Sequence, residues 1–175
     1  MFNAVTALGM AILVGVPINC LPKALKSFRG VKRRFSYKIK KNNLILIDDY
    51  AHHPTEIKAL HQAVTEMYPN DKKQIVFQPH LFSRTKDFGI EFAESLSAFD
   101  EIILLDIYPA REKPIEGITS NWLLKMIRND CKVIAQKKQL STLLKDSDCT
   151  VKLMVGAGDI GAEVDVVTKN LNYEN

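Results

Sequence analysis

The stretch with the greatest density of chemically active side chains is DDYAHHPTEI, residues 48–57. It holds two aspartates, a tyrosine, two histidines and a proline within ten positions. A buried core does not select so many titratable groups, because moving a charged group out of water is costly unless it is paired. Carboxylates, imidazoles and a phenol can together hold a polar ligand through hydrogen bonds. The stretch therefore predicts a ligand site.

The two histidines of this stretch have the wrong spacing for a helical zinc site. His52 and His53 are adjacent, so at the end of a strand their side chains point in different directions. The chain contains no HExxH sequence, and its three cysteines include no CxxC pair. We therefore expect hydrogen-bonding residues at this site and no metal site in this chain.

Three further segments hold polar groups that packing alone would not select. These are QPHLFSRT (78–85), DIYPAREKP (106–114) and VGAGDIG (155–161). Arg84 lies where a helix should begin, so its guanidinium and the free backbone N–H groups there could grip a carboxylate or a phosphate. The alternative is a surface arginine that pairs with Asp87.

The glycine-rich segment lacks the sequence context of a dinucleotide-binding site. GAGDIG matches GxGxxG, but only 14 residues follow Gly161, with no predicted strand among them. We expect a tight turn against a ligand or a neighbouring loop, and no NAD. The chain also lacks the phosphate-binding sequence GxxxxGK[ST], and no grouping of a nucleophile with its base stands out.

The rest of the chain supplies elements that would position these segments. An apolar content of 46% with 25% charged residues is typical of a globular protein. Short runs rich in Ile, Leu and Val alternate with amphipathic segments, which predicts an α/β fold with a doubly wound, mostly parallel sheet. Strands are predicted at 44–48, 74–78, 101–106, 132–135 and 151–155, and helices at 54–68, 85–98, 119–129, 138–146 and 160–171. Ligands bind beyond the carboxyl ends of such strands, where all four polar segments lie.

The N-terminal part differs in character. FNAVTALGMAI has apolar residues at helical spacing, lacks a charged lead-in, and is too short to span a bilayer. We expect residues 1–30 to be a short helical fragment of a neighbouring domain, and residues 31–175 to form the α/β domain. Residues 1–47 hold nine Lys and Arg and no Asp or Glu. No nucleic-acid-binding motif accompanies them, so a surface facing phosphates and a solvated linker both stay open.

Two long motifs carry a resemblance to a known family. DDYAHHPTEI, followed by VFQPHLFSRTKDF, resembles the C-terminal domain of the Mur ligases of peptidoglycan synthesis. YPAREKPIEG and GAGDIG follow in the order that the family shows. FRGVKRRF resembles the junction with the central domain, and FNAVTALGMAI the end of that domain. The resemblance implies a Rossmann-like C-terminal domain and a central ATP-binding domain, of which residues 1–30 would be a remnant.

The resemblance also implies substrates and roles. The family activates a carboxylate of a UDP-sugar as an acyl phosphate, which the amine of an amino acid then attacks. ATP and Mg²⁺ would be bound mainly by the central domain, which this chain lacks. The resemblance assigns the amino acid to Tyr50, His52, His80 and Arg84, with His53 as a further candidate. It assigns the nucleotide to Arg34, Asp49 and Asn3.

Within the family, the sequence is most similar to the branch that joins L-alanine to UDP-N-acetylmuramate in the bacterial cytoplasm. Two alternatives stay open: the branch that attaches a whole tripeptide to the same sugar, and a freestanding module that binds a nucleotide or amino acid without catalysis. One departure is Leu81, where many members carry an arginine. We expect the isolated chain to be inactive, with no nucleic-acid or membrane partner. The sequence does not indicate an oligomeric state.

Overall fold

The computed structural model describes residues 2–28 and 30–172, and of residues 2 and 3 only the backbone. These residues divide into two compact units on either side of the Val31–Lys32 bond. The two units are described separately below.

The first unit is helical. It contains α1 (Phe2–Leu13), a short 3-10 helix (Ile18–Cys20) and α2 (Leu21–Ser27). Leu21 is the only buried residue among those of this unit whose side chains the structure describes. The helix expected over FNAVTALGMAI is present as α1, but the unit has almost no core of its own. Its origin in a central ATP-binding domain stays a prediction.

The second unit is built on one six-stranded sheet. The strands are β1 (Ser36–Lys40), β2 (Ile45–Asp49), β3 (Lys73–Phe77), β4 (Glu101–Leu104), β5 (Lys132–Ile134) and β6 (Val151–Val155). Their order across the sheet is β1-β2-β6-β3-β4-β5. Only β1 is antiparallel to its neighbour; the other strands pair in parallel. The sheet is therefore mostly parallel, as predicted.

Helices cover both faces of this sheet. They are α3 (Pro54–Met67), α4 (Phe82–Asp87), α5 (Gly89–Leu96), α6 (Ser120–Met126), α7 (Leu140–Asp146) and α8 (Ile160–Asn172). Successive residues of a strand point to opposite faces. Ile75 and Phe77 of β3 pack in a core with residues of α3, α5 and α6, whereas Val76 packs in a second core with residues of α7 and α8. The predicted doubly wound α/β fold is confirmed.

Two element predictions were wrong. The strand β1 was missed because its sequence, SYKIK, is basic and only Ile39 of it is buried. The single helix predicted at 85–98 is two helices, α4 and α5, which meet at Phe88. A Cβ at Gly89 would lie 2.8 Å from Cζ3 of Trp122, so the missing side chain at the start of α5 admits the indole of α6.

None of the helices in the described part of the chain is both long and apolar enough to cross a membrane.

Candidate functional site

The four polar segments lie at one edge of the sheet. They follow β2, β6, β3 and β4, which are consecutive neighbours in the strand order. Because these four strands are parallel, their carboxyl ends meet at the same edge. The predicted convergence of the segments is therefore present.

The segment after β2 is fixed by the first turn of α3. Oε2 of Glu56 accepts hydrogen bonds from the backbone N–H groups of His52, at 2.8 Å, and His53, at 3.1 Å. The imidazole of His53 in turn accepts from the N–H of Thr55, so it caps α3. Burial alone would raise the pKa of Glu56, but the hydrogen bond from His52 and the charges nearby lower it overall. Glu56 is thus a charged anchor for both histidines.

His52, His80 and Arg84 come together at the centre of this edge. The rings of His52 and His80 have centroids 6.2 Å apart. Nη1 of Arg84 lies 3.4 Å from Nδ1 of His80, so the guanidinium reaches the histidine and not Asp87. On its other side His80 stacks on Tyr108, with centroids 5.6 Å apart. These are three of the four residues predicted to bind the amino acid.

The environment of His80 favours its neutral form. Burial, followed by the charges of Arg84 and His52, lowers the pKa of His80 below its ordinary value. A neutral imidazole beside a guanidinium can accept a hydrogen bond from it, and the guanidinium has further N–H donors beyond the one that faces His80. The cluster therefore offers positive charge from Arg84 without a second fixed charge from His80.

Tyr50 is the fourth predicted residue. It lies between the histidines and residues 33–35, which we call the chain junction. Its ring is 5.5 Å from that of His52. The guanidinium carbons of Arg33 and Arg34 lie 5.2 and 5.6 Å from the centroid of the same ring. Cations at such distances over an aromatic face are attracted by its quadrupole. Tyr50 therefore connects the predicted amino-acid residues to the predicted nucleotide residue Arg34.

Asp49 has a structural role that the sequence did not suggest. Its Oδ2 accepts a hydrogen bond from the N–H of Phe35 at 2.7 Å, and its Oδ1 accepts from the N–H of Ala51 at 2.8 Å. Asp49 is 8% exposed as a residue, and both of its carboxylate oxygens accept from the backbone. Asp49 fastens the chain junction to the end of β2. Its predicted contact with a nucleotide stays a prediction, and the side chain of Asn3 lies outside the described part of the structure.

Sequence reasoning missed the ion pair of Arg33 with Asp48. Nε of Arg33 lies 3.2 Å from Oδ1 of Asp48, and Nη2 donates to the carbonyl of Gly156 at 2.7 Å. Burial raises the pKa of the Asp48 carboxyl, although the Arg33 guanidinium opposes the rise. The signal available in the sequence was a charged residue at the end of an apolar strand, because such a residue needs a partner when it is buried.

The glycine-rich segment after β6 packs against the end of β3. Gly156 has φ +146°, and a Cβ there would lie 2.8 Å from the carbonyl oxygen of Gln78. The Gln78 side-chain amide donates to Asp159 at 2.8 Å and accepts from the N–H of Ile160 at 2.9 Å. The segment is a tight turn against a neighbouring loop, one of the two alternatives that the sequence left open.

Arg34 is suited to bind a phosphate. Its side chain is 51% exposed, and its ion pair with Oε1 of Glu56 is long at 3.5 Å. Guanidinium groups hold phosphates through paired hydrogen bonds. Residues 2–28 and 30–172 contain no group of three or more His, Cys, Asp or Glu side chains that could hold a metal ion. The exposed guanidinium of Arg34 is thus free to face a phosphate group, and its contact with a nucleotide stays a prediction.

Comparisons with known proteins found a matching family model, similar sequences and similar structures. Residues 33–158 match the family model described as Mur ligase, glutamate ligase domain. The chain is 64% identical over 174 residues to UDP-N-acetylmuramate--L-alanine ligase of Christiangramia forsetii, which covers 99% of this chain and 38% of that protein. It is 61% identical over 170 residues to the protein of the same name from Flavobacterium psychrophilum, covering 97% and 38%. The chain thus spans 38% of the length of these relatives.

Two solved structures are similar over 99% of this chain. The UDP-N-acetylmuramate-alanine ligase of Thermotoga maritima has a TM-score of 0.76 at 28% identity, with 37% of that chain covered. A murein peptide ligase from Psychrobacter arcticus has a TM-score of 0.70 at 19% identity, also with 37% covered. The second likeness shows the fold alone.

Proposed function

This chain belongs to the Mur ligase family, and from that premise we propose that it is the amino-acid side of an ATP-dependent ligase that joins L-alanine to UDP-N-acetylmuramate. The observation that carries the proposal is the convergence of His52, His80 and Arg84 at the carboxyl edge of the sheet. The identity of 64% to a ligase named for these substrates supports L-alanine as the amino acid. The reaction is a step of peptidoglycan precursor synthesis.

In this proposal the cluster holds the carboxylate of the amino acid. Arg84 supplies charge-assisted hydrogen bonds, and the imidazoles of His52 and His80 add further hydrogen-bonding groups around it. With the carboxylate fixed, the free amine of L-alanine is left facing away from Arg84, towards the incoming sugar acid. Holding two reactants in attack geometry can supply several kcal/mol, up to roughly 7–11, of the barrier reduction.

The nucleotide side lies at the chain junction. Arg34 is exposed there, and Tyr50 contacts both Arg34 and His52 through its ring. We propose that Arg34 reaches the ATP phosphates while the muramyl carboxylate is converted to an acyl phosphate. ATP and Mg²⁺ would be bound mainly by a central domain, since this chain has no GxxxxGK[ST] sequence. The L-alanine amine then attacks the acyl carbon, a new C–N bond forms and phosphate leaves.

The cellular location and the partners of the enzyme follow from its proposed substrates. UDP-N-acetylmuramate, ATP and L-alanine are small cytoplasmic metabolites, so the enzyme would act in the cytoplasm of a bacterium without a nucleic-acid or membrane partner. By itself the chain would bind part of the substrates and turn over none. It contributes one half of a shared active site.

An ADP-release assay tests the proposal. The full-length polypeptide that carries this chain is given ATP, Mg²⁺ and UDP-N-acetylmuramate, and then either L-alanine or the tripeptide L-alanyl-γ-D-glutamyl-diaminopimelate. We expect ADP release with L-alanine. Release with the tripeptide alone would make the enzyme the related recycling ligase, and Leu81 would then be the residue to examine. Release with neither substrate would indicate a module that binds a nucleotide or amino acid without catalysis. The isolated chain, as the control, should show no alanine-dependent ATP hydrolysis.

A further inference from the structure

The helix that carries Arg84 has no cap from its own sequence. α4 is only six residues long, and its N-cap residue, Leu81, makes no side-chain hydrogen bond to it. Leu81 also has φ +73°, a backbone conformation that costs a residue with a Cβ roughly 1–3 kcal/mol. A short helix that begins at a strained residue needs support from elsewhere to hold one position.

That support comes from Glu112, 29 residues further along the chain. Its Oε2 accepts a hydrogen bond from the backbone N–H of Ser83 at 2.9 Å. Its Oε1 accepts a short hydrogen bond from the Ser83 hydroxyl. These bonds, the hydroxyl first, lower the pKa of Glu112 below its ordinary value. The carboxylate therefore stays charged and acts as the N-terminal cap of α4, supplied by the loop after β4.

Backbone hydrogen bonds join the loop that carries Glu112 to the segment that precedes α4. The N–H of Tyr108 donates to the carbonyl of Pro79 at 2.8 Å, and the N–H of Leu81 donates to the carbonyl of Tyr108 at 2.9 Å. The N–H of Glu112 closes a turn on the carbonyl of Pro109 at 2.9 Å. Glu112 is therefore held at a fixed place relative to His80, whose ring stacks on Tyr108.

From this geometry we infer that Glu112 is a positioning residue, which acts through Ser83 to set the direction of Arg84 towards the carboxylate of the amino acid. Arg84 is the next residue after Ser83, so a shift at the start of α4 moves its guanidinium away from His80. Both oxygens of Glu112 accept hydrogen bonds from Ser83, so the carboxylate acts on α4 at its first turn. The inference rests on the proposed function only for the identity of the ligand.

Steady-state kinetics of the full-length ligase provide the first test. Glu112→Ala should raise the KM for L-alanine about tenfold, because the contact with a charged group is misaligned, while the KM for ATP changes less than about twofold. Glu112→Gln keeps one acceptor and should fall between Glu112→Ala and the wild type. Glu116→Gln is the matched control, since Glu116 is an exposed carboxylate of the same loop; it should leave both constants unchanged.

The route through Ser83 is tested by a double-mutant cycle. Ser83→Ala should raise the KM for L-alanine less than Glu112→Ala does, because the backbone N–H remains. The double variant should be no worse than Glu112→Ala alone. Fully additive effects would overturn the inference, since Glu112 would then act on the substrate directly. A lower melting temperature with an unchanged KM would also overturn it, as a purely structural role predicts.

Amide hydrogen exchange separates this inference from the proposed function. In Glu112→Ala the amide of Ser83 should exchange faster than in the wild type, and in Glu116→Gln it should not. An unchanged exchange rate in Glu112→Ala would refute the positioning role whatever the substrate. If wild-type enzyme ignored L-alanine while exchange at Ser83 still accelerated, the proposed function would fail and the cap would stand.

Discussion

The guanidinium of Arg33 and the carboxylate of Asp48 form a buried ion pair, 3.2 Å apart, between the chain junction and the end of β2. The Asp48 side chain is 2% exposed and that of Arg33 is 23% exposed. The same guanidinium donates to the carbonyl of Gly156 at the end of β6. Arg33 thus joins three parts of the candidate site that lie far apart in the sequence, and it sits directly before Arg34.

Removal of Arg33 should leave Asp48 buried without a partner. We expect Arg33→Met to lower the free energy of unfolding by about 2–3 kcal/mol, below the roughly 3–5 kcal/mol of a fully buried pair because Arg33 is partly exposed. The double variant Arg33→Met/Asp48→Asn should recover part of this loss. Urea unfolding at pH 7 measures both. Lys32→Met, at an exposed neighbour, is the control and should change little.

The stability of Arg33→Met should also depend on pH in a defined direction. Burial already raises the pKa of Asp48 above its unfolded value, and loss of Arg33 should raise it further. Between the unfolded and folded pKa values the folded state binds more protons, so stability falls as the pH rises through that window. The deficit of Arg33→Met relative to wild type should therefore be smaller at pH 5 than at pH 7. An equal deficit at both would mean that Asp48 finds another partner.

The histidine at the centre of the site gives a second prediction. The pKa of His80 is lowered by burial first and then by Arg84 and His52. Arg84→Ala removes one of these causes, so the titration midpoint of His80 should rise towards its ordinary value in ring NMR spectra. His61, whose pKa is lowered mainly by burial at another place, serves as the internal control. A parallel rise at His61 would indicate loosening of the whole fold.

The glycine-rich turn gives a further prediction about stability. A Cβ at Gly158 would lie 2.7 Å from Cβ of Tyr108 and would also meet the buried side chain of Gln78. Gly158→Ala should therefore destabilise the chain by roughly 1–3 kcal/mol, as overpacking does. Thermal unfolding measures the effect, and Ala157→Ser, at a position that already carries a Cβ, is the control. Unchanged stability in Gly158→Ala would show that Gln78 and Tyr108 can move apart without loss.

Most of the architecture followed from patterns in the sequence. Fully buried strands such as β3 and β6 read as continuous apolar runs, because helices cover both faces of the sheet. The strand β1 was not predicted, because an edge strand with one buried residue has no continuous apolar run. Trp122 packs against Gly89 beside the break between α4 and α5, and it is too far along the chain for a local pattern to show this contact.

The candidate site was predictable in place and less so in detail. Polar residues at the strand ends predicted that the four segments meet at one edge of the sheet, since parallel strands share their carboxyl edge, and the structure brings the segments together there. The pairing of Arg33 with Asp48 and the cap from Glu112 to Ser83 depend on side chains brought together by the tertiary fold. Sequence spacing carries no information about which of many charged residues meet in this way.

The central claim is that Arg84 holds the carboxylate of the amino acid, and Arg84→Ala in the full-length ligase tests it most directly. A charge-assisted contact contributes roughly 1.5–3 kcal/mol, so the KM for L-alanine should rise about ten- to hundredfold while that for ATP changes little. Lys86→Ala, at an exposed cation of the same helix, should leave both constants unchanged. An unchanged KM for L-alanine in Arg84→Ala would contradict the account and remove Arg84 from the pocket.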